Sequence, residues 1–179
     1  MRTTLFAAAA LSLITATGGF AAGSGSETPP KPTETTKVCK KGKIYDTARK
    51  RCVRADRQSF NDDTRYDAVR ELAYAGAYDR AEMIIASADN PADARFLNYK
   101  GFIQRKQGNF DQAMFFYTAA LEKSPDYHLA RSYMGQGLIA QGDIQGAKAQ
   151  LAEIRARGGR DTWAYVALKS AIGGTPSNY

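Results

Sequence analysis

The chain has 179 residues, 44% of them hydrophobic and 24% charged, which suits one globular domain or two small ones. That balance excludes a collagen-like, a wholly disordered or a polytopic membrane protein. Basic side chains outnumber acidic ones 25 to 18, and two cysteines with one histidine leave almost nothing for a metal site or a base-activated nucleophile.

Residues 1–22 read as a signal peptide. Arg2 supplies the positive start, Leu5 to Ile14 (LFAAAALSLI) is an apolar run of 10 residues, and small residues follow at Gly19, Ala21 and Ala22. Such a run fits a secretory core and falls short of the roughly 20 residues that span a bilayer. The expectation is an exported protein, periplasmic in a bacterium or secreted, with no transmembrane segment.

Residues 23–36 (GSGSETPPKPTETT) hold three prolines, small polar side chains and no apolar anchor, the composition of a disordered linker. Residues 37–57 form a compact basic module. Nine cations (Lys37, Lys40, Lys41, Lys43, Arg49, Lys50, Arg51, Arg54 and Arg57) face Asp46 and Asp56, which accounts for the whole formal charge of +7. Cys39 and Cys52 are the only thiols, and an exported chain keeps its disulfides. Val38 and Val53 flank them, and Ile44 and Tyr45 lead into a polar Asp46–Thr47 turn. The reading is a small β-hairpin closed by a Cys39–Cys52 bridge. Its patch of Lys40, Lys41, Lys43, Arg49, Lys50, Arg51 and Arg54 suits an anionic surface, either lipid headgroups or cell-wall glycan. Nucleic acid is not expected, since aromatic side chains are not interleaved with the charges.

From residue 58 to 173 the chain is alanine-rich with helical spacing, and residues 174–179 (GTPSNY) form a flexible tail. Shifted by 34 residues, Gly101 falls on Gly135, Gly108 on Gly142, Phe110 on Ile144, Ala113 on Ala147, Tyr117 on Leu151 and Ala120 on Ile154. Shifted by 32, Gly76, Tyr78 and Ala81 fall on Gly108, Phe110 and Ala113. Each unit is a helix pair with a glycine at the turn, where φ becomes positive. Asp62 or Asp63 is positioned to cap the first helix, and Asp161 a last apolar helix over residues 161–172.

This pattern resembles the tetratricopeptide repeat, a helix–turn–helix unit of 34 residues. The matching features are the first-helix glycine (Gly101, Gly135), the turn glycine (Gly76, Gly108, Gly142), the second-helix alanine (Ala81, Ala113, Ala147) and the closing Pro125. Where the family places an early tryptophan, this chain has Arg65, Leu97 and Arg131, and Val69 stands at the first glycine position. The resemblance implies an all-α helical solenoid of three helix pairs, about residues 62–93, 94–127 and 128–159, closed by a capping helix. It also implies a concave face built from the first helices, on which Tyr66, Arg70, Tyr74, Arg95, Asn98, Phe102, Arg105, Lys106, Leu129, Ser132, Gln136 and Ile139 line a partner groove. Its arginines suit an acidic peptide or a free C-terminal carboxylate.

The expected function is a non-catalytic protein–protein interaction scaffold of the cell envelope, with no cofactor and no enzymatic activity. His128, the lone histidine, reads as structural, and the glycines of GQGLIAQG belong to the repeat rather than to a phosphate loop. The alternative is an envelope surface-binding protein acting through the basic hairpin.

Overall fold

Each helix of the repeat region starts and stops where local chemistry dictates. In the structure, a computed structural model describing residues 29–175, these helices are α2 (Asp62–Tyr74), α3 (Tyr78–Ile85), α4 (Ala94–Lys106), α5 (Phe110–Lys123), α6 (His128–Ala140), α7 (Ile144–Ala156) and α8 (Trp163–Ile172). The expected signal peptide, residues 23–28 of the linker and residues 176–179 of the tail lie outside the described residues. The turns at Gly76, Gly108 and Gly142 have φ of +73°, +83° and +84°, a conformation that costs a side chain about 1 kcal/mol or more. Two expected caps move by one residue. Asn61, not Asp62 or Asp63, caps α2 through its Oδ1, and Thr162, not Asp161, caps α8.

Helices α2/α3, α4/α5 and α6/α7 pack as antiparallel pairs, and α8 covers the last pair by lying against both α6 and α7. Close approach depends on glycine at two places. A Cβ on Gly101 would sit 2.6 Å from the Tyr117 ring, and one on Gly135 would sit 2.6 Å from Leu168. The glycine of the third repeat therefore receives α8. The molecule is a short solenoid of tetratricopeptide-type helical repeats.

The basic module is the expected hairpin. Strand β1 (Lys43–Asp46) pairs antiparallel with β2 (Arg51–Arg54), with Ile44 opposite Val53 and Tyr45 opposite Cys52. Cys39 and Cys52 are bridged. The Asp46 carboxylate closes the turn by accepting from the Arg49 N–H at 2.9 Å and from the Arg49 guanidinium.

Two features depart from the sequence reading. First, the end of the expected linker is ordered: α1 (Glu34–Lys37) docks on the first repeat. The Glu71 carboxylate accepts from the N–H and hydroxyl of Thr33 at 2.7 Å each, and from the N–H and hydroxyl of Thr36. Arg80 donates to the carbonyls of Thr35 and Thr36, and Thr35 Oγ1 accepts from the Tyr45 N–H. Composition carries no signal for this, because both carboxylate and guanidinium come from the next domain along the chain.

Second, the hairpin is not a separate module. Ile44, Val53, Ala55 and Phe60 are buried in the same apolar cluster as Val69 and Leu72 of α2 and Ile84 and Ile85 of α3. That core continues through Phe96, Tyr99, Tyr117 and Tyr133. A smaller cluster of Ala147, Ile154 and Leu168 closes the other end. The hairpin thus caps one end of the solenoid as α8 caps the other.

Candidate partner-binding face

The expected groove residues come from α2, α4 and α6, and three of them, Tyr66, Tyr74 and Phe102, join an aromatic row with Phe96, Tyr99 and Tyr133, which the sequence reading did not include. The Tyr66 ring lies 5.7 Å from Tyr99 and 6.5 Å from Phe96, each edge to face. Tyr74 lies 5.4 Å from Phe102, Phe102 lies 5.2 Å from Tyr133, and the hydroxyls of Tyr74 and Tyr133 are hydrogen-bonded. Helical spacing produces this. Tyr66 and Tyr74 are eight residues apart, Tyr99 and Phe102 three, so each helix turns its rings toward the next.

Burial divides the candidates. Tyr66, Arg70, Asn98, Phe102, Leu129, Ser132 and Gln136 are buried; Tyr74, Arg95, Arg105 and Ile139 are half-buried; Lys106 is exposed. Asn98 has no exposed surface, and its Nδ2 donates to the Tyr127 hydroxyl at 3.4 Å. Burial pushes the hydroxyls of Tyr66, Tyr99, Tyr127 and Tyr133 above the ordinary tyrosine value, and that of Tyr117 to about 12. These phenols stay neutral and act as hydrogen-bonding groups within an apolar layer.

The cations sit over this layer. Arg105 lies 5.4 Å from the Phe102 ring centre and 5.7 Å from that of Tyr133, and its Nε donates to the Tyr117 hydroxyl at 3.4 Å. Lys106 lies 5.6 Å from the Phe102 ring, and partial desolvation by its neighbours together with the Arg105 charge holds its ammonium below the ordinary lysine value. Gly137 makes room for Arg105: a Cβ there would sit 3.3 Å from Arg105 Cδ and 2.5 Å from Met114 Cε.

Arg95 is different. It stands among the groove arginines expected to meet an acidic peptide, but Asp63 accepts from it at 2.7 Å and Asp93 at 3.1 Å. The Asp93 carboxylate, with Asp63, holds the guanidinium above its ordinary value, and the group also lies 5.1 Å over the Tyr66 ring. Its charge is largely answered within the chain.

Two arginines carry a role that sequence reasoning missed. Arg65 and Arg131 occupy the tryptophan position, and both are buried. Arg65 is 1% exposed and donates to the carbonyls of Ala55 at 3.0 Å and Arg57 at 3.3 Å, and to Asp62 and Asp89 at 2.9 and 2.8 Å. Arg131 donates to the Pro125 carbonyl and to Gln150. Each ties down the turn that precedes its own repeat. The available signal was their recurrence at one repeat position.

Among the described residues no group of three or more His, Cys, Asp or Glu could hold a metal, and no helix is long and apolar enough to cross a membrane. The ring of His128 packs against Gly159, where a Cβ would sit 2.7 Å from it.

A family model described as tetratricopeptide repeat matches residues 104–172, from within α4 to the end of α8. No curated protein and no solved structure matches the chain. The repeat type found in the packing is thus also recognised in the sequence from the end of α4 through α5, the third helix pair and the capping helix.

Proposed function

We propose that this chain is a non-catalytic interaction scaffold of the cell envelope that docks an acidic segment of a partner protein on the inner face of α2, α4 and α6. Tetratricopeptide repeats generally mediate protein–protein contact and are typically non-catalytic, and the matched stretch is of that kind. The observation that carries the reading is the pairing of Arg105 and Lys106 over Phe102. Two adjacent cations at the rim of a buried aromatic layer suit a carboxylate. The envelope setting rests on the leader-like residues 1–22.

The test is a titration of a short Glu-rich peptide against wild type and the double variant Arg105→Ser/Lys106→Ser. Loss of two rim cations is expected to weaken binding about tenfold, roughly 0.7 kcal/mol each. Equal affinity in the variant moves the site off this face. Arg95 is left unchanged, because Asp63 and Asp93 already engage it.

The second reading places the function on an anionic surface, and one observation favours it. Among the described residues Lys40, Lys43, Lys50, Arg51 and Arg57 form no ion pair, whereas Lys41, Arg49 and Arg54 pair with Asp79, Asp46 and Asp56. Deleting residues 37–57 does not separate the two readings, since Ile44, Val53 and Ala55 belong to the core; charge substitutions on the hairpin do.

A further inference from the structure

Four of the hairpin's cations converge. Lys43, Arg51, Arg54 and Arg57, with Cys52 and Val53 between them, line a shallow concavity of about 210 Å³ along β2. Lys43 stands directly opposite Arg54 in the ladder. Like charges opposite one another destabilise a strand pair unless an anion lies between or beside them. Asp56 answers only one of the two: it accepts from Arg54 at 2.6 Å. That contact holds the Asp56 carboxyl below its ordinary value and leaves Lys43, Arg51 and Arg57 without a carboxylate at ion-pair distance among the described residues.

The backbone beneath these side chains is fixed. The Arg57 N–H donates to the Arg54 carbonyl at 3.3 Å, and the Arg57 carbonyl accepts from buried Arg65 at 3.3 Å. The Ala55 N–H donates to the Gly42 carbonyl at 2.9 Å, and the Cys39–Cys52 bridge ties β2 to the segment before β1. The backbone that carries these cations is therefore in place before any ligand arrives, which lowers part of the ordering cost of binding.

We propose that this cradle binds the phosphate groups of anionic phospholipid headgroups, with Lys43, Arg51 and Arg57 as the contact cations. The proposal rests on the second reading above and names its chemistry. A phosphodiester oxygen is the anion that arginine forks and a lysine ammonium match, and several such groups lie side by side on a bilayer surface. One observation favours a membrane over a free polyanion. Val38, next to bridged Cys39, is 55% exposed and supplies an apolar side chain beside the cations. One apolar contact plus a polybasic patch is the two-part pattern of surface binding.

The experiment measures co-sedimentation of the full chain with vesicles of phosphatidylcholine, with and without phosphatidylglycerol. Wild type is compared with the triple variant Lys43→Ser/Arg51→Ser/Arg57→Ser and with a control triple variant, Lys123→Ser/Lys148→Ser/Arg155→Ser, which removes equal charge from α5 and α7. The leader is common to all three and contributes equally to both vesicle types. The cradle variant is expected to lose roughly 100-fold in affinity for the anionic vesicles, about fivefold per cation, while the control changes by less than about fivefold. Equal losses in both variants overturn the cradle but leave a diffuse surface interaction standing. A wild type that does not distinguish the two vesicle types overturns the surface reading itself. Displacement by inorganic phosphate at constant ionic strength overturns the lipid assignment in favour of a free-phosphate site. Matching circular dichroism spectra establish that the variants are folded.

Discussion

A guanidinium replaces an apolar ring inside a protein only when its N–H groups find acceptors, because an unanswered buried charge costs several kcal/mol. Arg65 meets that condition with four acceptors drawn from three segments: the strand exit (Ala55, Arg57), the start of α2 (Asp62) and the turn after α3 (Asp89). Arg65→Met is expected to cost about 3 kcal/mol in urea unfolding, and Arg65→Lys to recover little, since one ammonium cannot span those directions. Asp62 is the other half of this junction. Burial raises its carboxyl pKa, but the N–H groups of Asn90 and Asp89 and the Arg65 guanidinium together outweigh that and hold it below the ordinary 3.8. A native pKa below the unfolded one adds stability that is complete above the unfolded value and is lost as pH falls through the native value. Stability is therefore expected to be flat above about pH 5 and to decline below about pH 4. Asp62→Asn is expected to lower stability at neutral pH and to flatten that decline, measured as unfolding midpoints across the range.

The glycines of one repeat unit act by two mechanisms that substitution separates at the scale of the helix pair. Gly108 has φ of +83° and open space where a Cβ would go, so Gly108→Ala is expected to cost about 1 kcal/mol, from backbone strain alone. Gly101 is helical, and its obstacle is the fully buried Tyr117 ring at 2.6 Å. Overpacking there costs about 1–3 kcal/mol, while alanine returns up to about 1 kcal/mol of helix propensity. A net loss of about 1–2 kcal/mol is expected for Gly101→Ala, together with displacement of α5 from α4 and a changed environment for Arg105, whose Nε reaches the same ring's hydroxyl. A near-ultraviolet circular dichroism change in Gly101→Ala but not in Gly108→Ala is the expected signature.

Across the whole molecule, stability is continuous from the cystine hairpin into the first repeat. The closed loop of Cys39 to Cys52 is expected to contribute about 3 kcal/mol through the unfolded chain. Because Ile44, Val53 and Ala55 share a core with Val69 and Leu72, Cys39→Ser/Cys52→Ser is expected to raise amide exchange in α2 and α3 as well as in the hairpin. The α7 and α8 amides, which belong to the other cluster, are expected to keep their protection. The seven helices of the repeat region, their turn positions and the disulfide were legible in the amino-acid sequence, because each rests on a local or recurring signal: glycine where φ is positive, an apolar period, a lone pair of thiols. The inner-face positions were legible as positions, through the repeat register. Their environment was not. Whether Arg95 is an open cation depends on Asp63, which lies 32 residues away. Whether residues 33–36 are linker or docked strap depends on Glu71 and Arg80, and whether the basic hairpin stands alone depends on α2 and α3. Sequence by itself determined the periodic elements, since their hydrogen bonds and spacing are satisfied within about 34 residues. Only the tertiary structure decided which charges are answered and which face outward, because an ion pair is made by proximity in space and leaves no period in the chain.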